Sequence, residues 1–138
     1  MIRYQEEKKL EVAKVLPLYH AVGWTNYTEN PDMLDQALQQ SLYVLVAYDG
    51  QDVVGLLRAV GDGVSILFIQ DILVLPSYQR QGIGRQLMDD VLEKYKNVYQ
   101  LHLLTDQSEK IAAFYRALGF QPVEEIRCTA FTYVKRND

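Results

Sequence analysis

The residues best suited to chemistry in this chain lie in one stretch, Ser77-Tyr-Gln-Arg-Gln-Gly-Ile-Gly84, which follows the β-rich run Ile69 to Pro76 and flows into an amphipathic segment. Glycines at 82 and 84 let backbone N–H groups converge with no side chain in the way. A helix that begins there adds its unpaired donors and roughly half a positive charge. The chemistry is anion binding, with Arg80 and Arg85 flanking the turn as phosphate partners. The Gly-Lys-Ser/Thr of a P-loop is absent, and Leu87 stands where the dinucleotide pattern G-x-G-x-x-G puts its third glycine. The second chemical group is Asp71, a carboxylate inside an otherwise apolar run, where an unpaired charge is costly. It reads either as a general base for an ammonium substrate or as the structural partner of an arginine or of backbone N–H groups.

The elements that must position these groups are legible in outline. Met1 to Gln5 reads as a short strand, and Glu6 to about Leu16 as a helix that Pro17 ends or kinks. Ala21 to Asn30 is a loop carrying Trp24 and Tyr27, and Asn30-Pro31 opens a second short helix running to about Ser41. Three strand-like runs follow, Leu42 to Tyr48, Val53 to Val60 and Val64 to Leu75, separated by the turn signals Asp49-Gly50 and Asp62-Gly63. Ile83, Leu87, Met88, Val91, Leu92 and Tyr95 then recur on one helical face. Val98 to Leu104 reads as a strand, Ser108 as the cap of a last helix closed by Gly119, and Phe120 to Val123 and Cys128 to Lys135 as closing strands.

Composition bounds the function. With 138 residues, 49% hydrophobic and 23% charged, the chain has room for one core, and no apolar run reaches membrane-spanning length. The formal charge of −4 and the lack of a basic stripe interleaved with aromatics argue against nucleic acid. A lone cysteine, Cys128, and two separated histidines, His20 and His102, supply neither a disulfide nor a zinc site. The charged N-terminus, Met1 to Lys9, does not read as a signal peptide, so the expected location is cytoplasmic.

Gln79-Arg80-Gln81-Gly82-Ile83-Gly84 meets the pattern Gln/Arg-x-x-Gly-x-Gly/Ala after a strand and at a helix start. On these residues the chain resembles the GCN5-related N-acetyltransferases, the GNAT superfamily, in which that segment cradles the pyrophosphate of acetyl-CoA. Leu73-Val-Leu-Pro76 looks like the family's fourth strand, and Ala113-Phe-Tyr-Arg-Ala-Leu-Gly-Phe120 like its second motif. The resemblance runs over the whole chain. It implies a single α+β domain, residues 1–138, with a mixed, mostly antiparallel central sheet flanked by about four helices in the order β-α-α-β-β-β-α-β-α-β-β.

Carried over by position, the resemblance makes Leu73 and Val74 the backbone partners of the pantetheine arm and gives Gln79, Arg80, Gln81, Gly82, Ile83, Gly84 and Arg85 the pyrophosphate. Tyr115 falls where relatives keep a general acid for the CoA sulfur, Asp71 where a base is sought, and Trp24 and Tyr27 on the acceptor side of the cleft. Ser108 replaces an asparagine that in many relatives touches the CoA arm, and a capping role competes with that contact. The implied activity is direct transfer of an acetyl group from acetyl-CoA to the amine of a small molecule or an amino terminus in a ternary complex, without a metal. The alternative is an acyl-CoA sensor or interaction module that has lost turnover. Many relatives pair as homodimers through the sheet or its last strands, which leaves a second copy open as a partner.

Overall fold

The two Asp-Gly turns fold the middle of the chain back on itself twice, giving the expected antiparallel meander. In the structure, a computed structural model that describes residues 1–135, the strands are β1 (Ile2–Glu6), β2 (Tyr43–Asp49), β3 (Asp52–Gly61), β4 (Ile66–Val74) and β5 (Gln100–Leu103). They form one sheet in the order β1-β2-β3-β4-β5, antiparallel from β1 to β4, with β5 parallel to β4. The helices are α1 (Val12–Ala21), α2 (Thr25–Thr28), α3 (Pro31–Gln40), α4 (Ile83–Lys94) and α5 (Glu109–Ala117). The chain separates into two compact units, Met1–Leu104 and Thr105–Asp138.

In the first unit the sheet is covered on both faces. On one, Val15, Leu18 and Tyr19 of α1 and Leu34 and Leu38 of α3 bury themselves against Val44, Val46, Leu56 and Leu73. On the other, Ile83, Leu87, Met88 and Val91 of α4 turn their apolar stripe to β2, β3 and β4. A fully buried side chain of this kind contributes roughly 1.5–3 kcal/mol, which outweighs weak local propensity. That balance explains a departure from the sequence expectation. Pro17 neither ends nor precedes the break of α1 but lies inside it, because the buried positions Val15, Leu18 and Tyr19 continue across the proline. The loop before α3 likewise contains one helical turn, α2, and Trp24 and Tyr27 are half-buried against the core.

In the second unit Ser108 caps α5, its hydroxyl accepting from the Ile111 N–H at 3.3 Å, and Gly119 at φ +99° follows the helix end as expected. A 3₁₀ turn spans Val123–Ile126, and Arg116 Nη1 donates to Glu125 Oε1 at 3.2 Å. The closing strands expected over Phe120 to Val123 and Cys128 to Lys135 are absent: the first run leads into that turn, and the second has no ladder partner. Phe131 and Tyr133 are 92% and 88% exposed, so the alternation that reads as a strand has no face to bury. Among the described residues no helix is long and apolar enough to cross a membrane, and no His, Cys, Asp and Glu side chains gather as a metal site.

Candidate functional site

β4 ends at Val74, and the chain passes through a 3₁₀ turn, Pro76–Tyr78, whose Tyr78 hydroxyl donates to Asp49 Oδ2 at 2.5 Å. Arg80 and Gly82 both take left-handed backbone conformations, φ +66° and +82°, and Gly82 is the N-cap of α4 with no side chain supplying the cap. The first intrahelical bond runs from Gln86 N–H to the Gly82 carbonyl at 3.0 Å. Among the described residues none of the N–H groups of residues 80 to 85 has a protein acceptor. The donors open into solvent-exposed space, since a Cβ built on Gly82 meets nothing within 4 Å. A pyrophosphate fits this set: amides without a protein acceptor, the positive end of a helix of 12 residues, and the exposed Arg80 and Arg85. Among the described residues Arg85 is engaged by one exposed contact, to Asp89 at 3.4 Å, the kind of pair a ligand phosphate readily replaces. Gln79 turns back, its amide donating to the Val74 carbonyl at 3.4 Å. Gln81 is exposed, Gly84 half-buried and Ile83 buried, so Ile83 anchors the loop to the sheet.

The strand before the loop has an open edge. β5 pairs with β4 only from Ile66 to Ile69, while β3 pairs with it as far as Val74, so Asp71 to Val74 have a strand on one side alone. The Leu75 N–H donates to Val54 O at 2.9 Å. Alternation along the antiparallel ladder then turns the backbone groups of Leu73 toward β3 and those of Ile72 and Val74 toward the open edge. Val74 and Ile72 therefore turn their backbone groups to the open edge, whereas the peptide groups of Leu73 belong to the ladder with β3.

Asp71 is 2% exposed and Arg58, directly opposite on β3, is 6% exposed. Arg58 Nε donates to Asp71 Oδ2 at 2.7 Å, where the Tyr19 hydroxyl also donates at 3.0 Å. The Tyr27 hydroxyl donates to Asp71 Oδ1 at 3.3 Å. Of the two readings of this carboxylate, the arginine partner is the one this geometry builds. Arg58 is a buried charge among the apolar residues of β3. Tyr19 went unremarked because a tyrosine at helical spacing carries no sign of the acid it will meet. Trp24 and Tyr27 stand together beside Tyr19, with ring centroids 6.4 Å apart and 6.0 and 5.2 Å from Tyr19.

In the second unit, Tyr115 is half-buried on α5 with its ring edge-on to Phe114 and Phe120, centroids 5.1 and 5.7 Å away. Burial pushes its phenol above the ordinary tyrosine range, so the proton stays on oxygen at neutral pH. Ser108 spends its hydroxyl on the helix cap.

The Acetyltransferase (GNAT) domain family matches residues 40–122 of this chain. A GNAT-family acetyltransferase from Streptococcus pneumoniae TIGR4 is 47% identical in sequence and superposes with a TM-score of 0.90 over 99% of this chain and 100% of that one. A structure of AAC(6')-Iy in complex with the bisubstrate analog CoA-S-monomethyl-acetylneamine shares the fold, with a TM-score of 0.72, 20% identity and 99% of each chain covered. Serotonin N-acetyltransferase 2, chloroplastic, of Oryza sativa subsp. japonica is 28% identical over 127 residues, which are 88% of this chain and 62% of that protein. Like this one, the other curated relatives that head the comparison are longer, the matches spanning 32% and 41% of their lengths. The domain match over residues 40–122 and the likeness to the Streptococcus protein along its full length establish that the chain belongs to the GNAT acetyltransferase family.

Proposed function

We propose that the chain is an acetyl-CoA-dependent N-acetyltransferase that passes the acetyl group directly to the amine of a small molecule or an amino terminus. The observation that carries this reading is the pairing of the acceptorless N–H groups at the start of α4 with the open edge of β4 immediately before them. The first suits a pyrophosphate and the second an extended amide chain such as pantetheine. In the reaction the amine nitrogen attacks the thioester carbonyl, the carbon–sulfur bond breaks, and the sulfur leaves with a hydrogen bond or proton from Tyr115. Reference pKa values of about 10 for a phenol and 8.5 for a thiol make full proton transfer uphill by about 2 kcal/mol. Burial of Tyr115 raises that further, which favours hydrogen-bond donation to the thiolate. With Asp71 engaged by Arg58, the amine proton departs to solvent, and Trp24 and Tyr27 form the acceptor wall.

Calorimetry with acetyl-CoA tests the cofactor. A release assay for free CoA against polyamines, amino acids, arylalkylamines, aminoglycosides and peptide N-termini tests the transfer. The engagement of both Asp71 oxygens favours one alternative, an acyl-CoA sensor without turnover. Acetyl-CoA binding with no release of free CoA in the presence of any of these amines selects it. We include self-association in the proposal because Phe131, Tyr133 and Val134 are 92%, 88% and 73% exposed. A strictly monomeric species in sedimentation at micromolar concentration removes that part.

A further inference from the structure

Arg58 and Asp71 face each other where the β3–β4 register slips by one residue, from Arg58–Asp71 to Ala59–Ile69, leaving Gln70 without a counterpart on β3. Their network reaches three further elements. Tyr19 comes from α1, Tyr27 from α2, and Ser41, the residue that ends α3, accepts from Arg58 Nη1 at 3.3 Å. Ser41 in turn donates to the Ala37 carbonyl at 2.6 Å. Tyr27 is used twice by this pair, donating to Asp71 and accepting from Arg58 Nη2 at 3.1 Å. Among the described residues no buried side-chain polar atom lacks a partner.

A buried ion pair is a poor source of stability, since well-packed apolar side chains in its place often do as well or better. What it supplies here is placement. α2 is a single turn of four residues with no buried residue of its own, too short to hold itself. Besides the packing of its aromatic rings on the core, its hydrogen-bonded link to β3 and β4 among the described residues is the Tyr27 hydroxyl, clamped between the two charges, and Trp24 stands beside it. The clamp is electrically neutral, because one guanidinium faces one carboxylate.

We propose that the Arg58–Asp71 pair is a positioning device for the acceptor: it locks the Tyr27 ring, and Trp24 with it, so that the group carrying the amine meets two fixed aromatic faces and no free charge. The proposal rests on the reading of Trp24 and Tyr27 as the acceptor wall. Arg58 and Asp71 are then positioning residues that act through Tyr27.

Tyr27→Phe tests it, because the ring and the ion pair stay while the clamped hydroxyl goes. Trp24 is the sole tryptophan, so its fluorescence reports on the clamp without any turnover. The expected result is a folded protein in which acrylamide quenching of Trp24 increases and acetyl-CoA affinity stays at the wild-type level. The KM for phenethylamine, the aromatic probe amine, rises by about five-fold, the factor one lost hydrogen bond is worth, while kcat holds. Wild-type quenching in Tyr27→Phe overturns the clamp. A lowered melting temperature with unchanged KM reduces the pair to structure and overturns the positioning role. Wild-type transfer to spermidine in preference to phenethylamine, or to neither, overturns reception by aromatic faces. A wild-type protein that does not bind acetyl-CoA refutes the proposed function instead, and the quenching measurement still decides the clamp.

Discussion

Ile83 Cγ2 lies 3.1 Å from where a Cβ on Gly55 would stand, so the N-terminus of α4 rests directly on the backbone of β3. Gly55 is opposite Val74, the last residue of β4, and the same site is hemmed by Ala47 Cβ at 3.3 Å and the Leu73 carbonyl at 3.4 Å. The turn that opens α4 is therefore set against the sheet at a point that admits no side chain larger than hydrogen without movement.

Gly55→Val forces Ile83 outward and carries the start of α4 with it. Overpacking of this kind costs about 1–3 kcal/mol. The expected outcome is a lower melting temperature together with weakened acetyl-CoA binding, read by thermal denaturation and calorimetry. A variant that loses stability but binds acetyl-CoA like wild type would mean that the loop is not braced by this contact.

Gly82→Val acts differently, because no atom lies within 4 Å of its Cβ and the obstacle is the left-handed backbone, φ +82°. The strain there is about 1–2 kcal/mol, tolerable for the fold, while the new side chain stands in the space above the unpaired amides. Acetyl-CoA at a hundred times its Kd should stabilise the wild type by about 2.7 kcal/mol. That ligand-induced rise in melting temperature should vanish in Gly82→Val while circular dichroism stays native. Undiminished stabilisation would remove the loop from the cofactor site.

The parts of this fold written in short-range signals were legible, and the parts that depend on a partner were not. Asp-Gly turns, the apolar stripe of α4 and the Ser108 cap are decided by residues within a few positions of one another. The Arg58–Asp71 pair is a tertiary choice, as a lone charge in an apolar strand announces that it needs a counterion without saying which. Pro17 looked like a helix end because its local cost is visible in sequence, whereas the burial of Leu18 and Tyr19 that outweighs it is not. The run from Cys128 to Lys135 has strand chemistry without a strand, because a ladder requires a second chain segment and local pattern names only one. The motif marks the turn, but which residues of β4 aim their backbone at the open edge follows from the ladder, and these are Ile72 and Val74.

Asp62 organises the β3–β4 turn, its Oδ1 accepting from the N–H groups of Val64, Ser65 and Ile66 at 2.8, 2.8 and 3.0 Å, and its Oδ2 from the Ser65 hydroxyl at 2.6 Å. The Ser65 hydroxyl first, and then those amides, hold its carboxyl well below the usual carboxylate range. A depressed folded-state pKa gives stability that is complete above the unfolded value of about 4 and is lost as pH falls from there. Asp62→Asn should therefore melt below wild type at pH 7, with the gap closing as the pH is taken below about 4. A gap that is constant from pH 7 to pH 3 would show that the charge of Asp62 contributes nothing.

Tyr115 supplies the sharpest test of mechanism. Its phenol is raised above the ordinary value of 10.0 by burial, so it is protonated, and able to donate, throughout the range in which the enzyme would be assayed. Tyr115→Phe removes the donor and keeps the ring among Phe114 and Phe120. A positioned acid is worth about a hundred-fold or more in rate. The expected result is a loss of that order in kcat for whichever panel amine turns over, with acetyl-CoA affinity within about two-fold of wild type, since in the proposed role the hydroxyl meets sulfur only as it leaves. Because the pKa is raised rather than lowered, wild-type kcat should not decline between pH 7 and about 9.5. A declining limb in that window that disappears in Tyr115→Phe would mean that the phenol ionises at lower pH than its burial allows, and that a charged group holds it there.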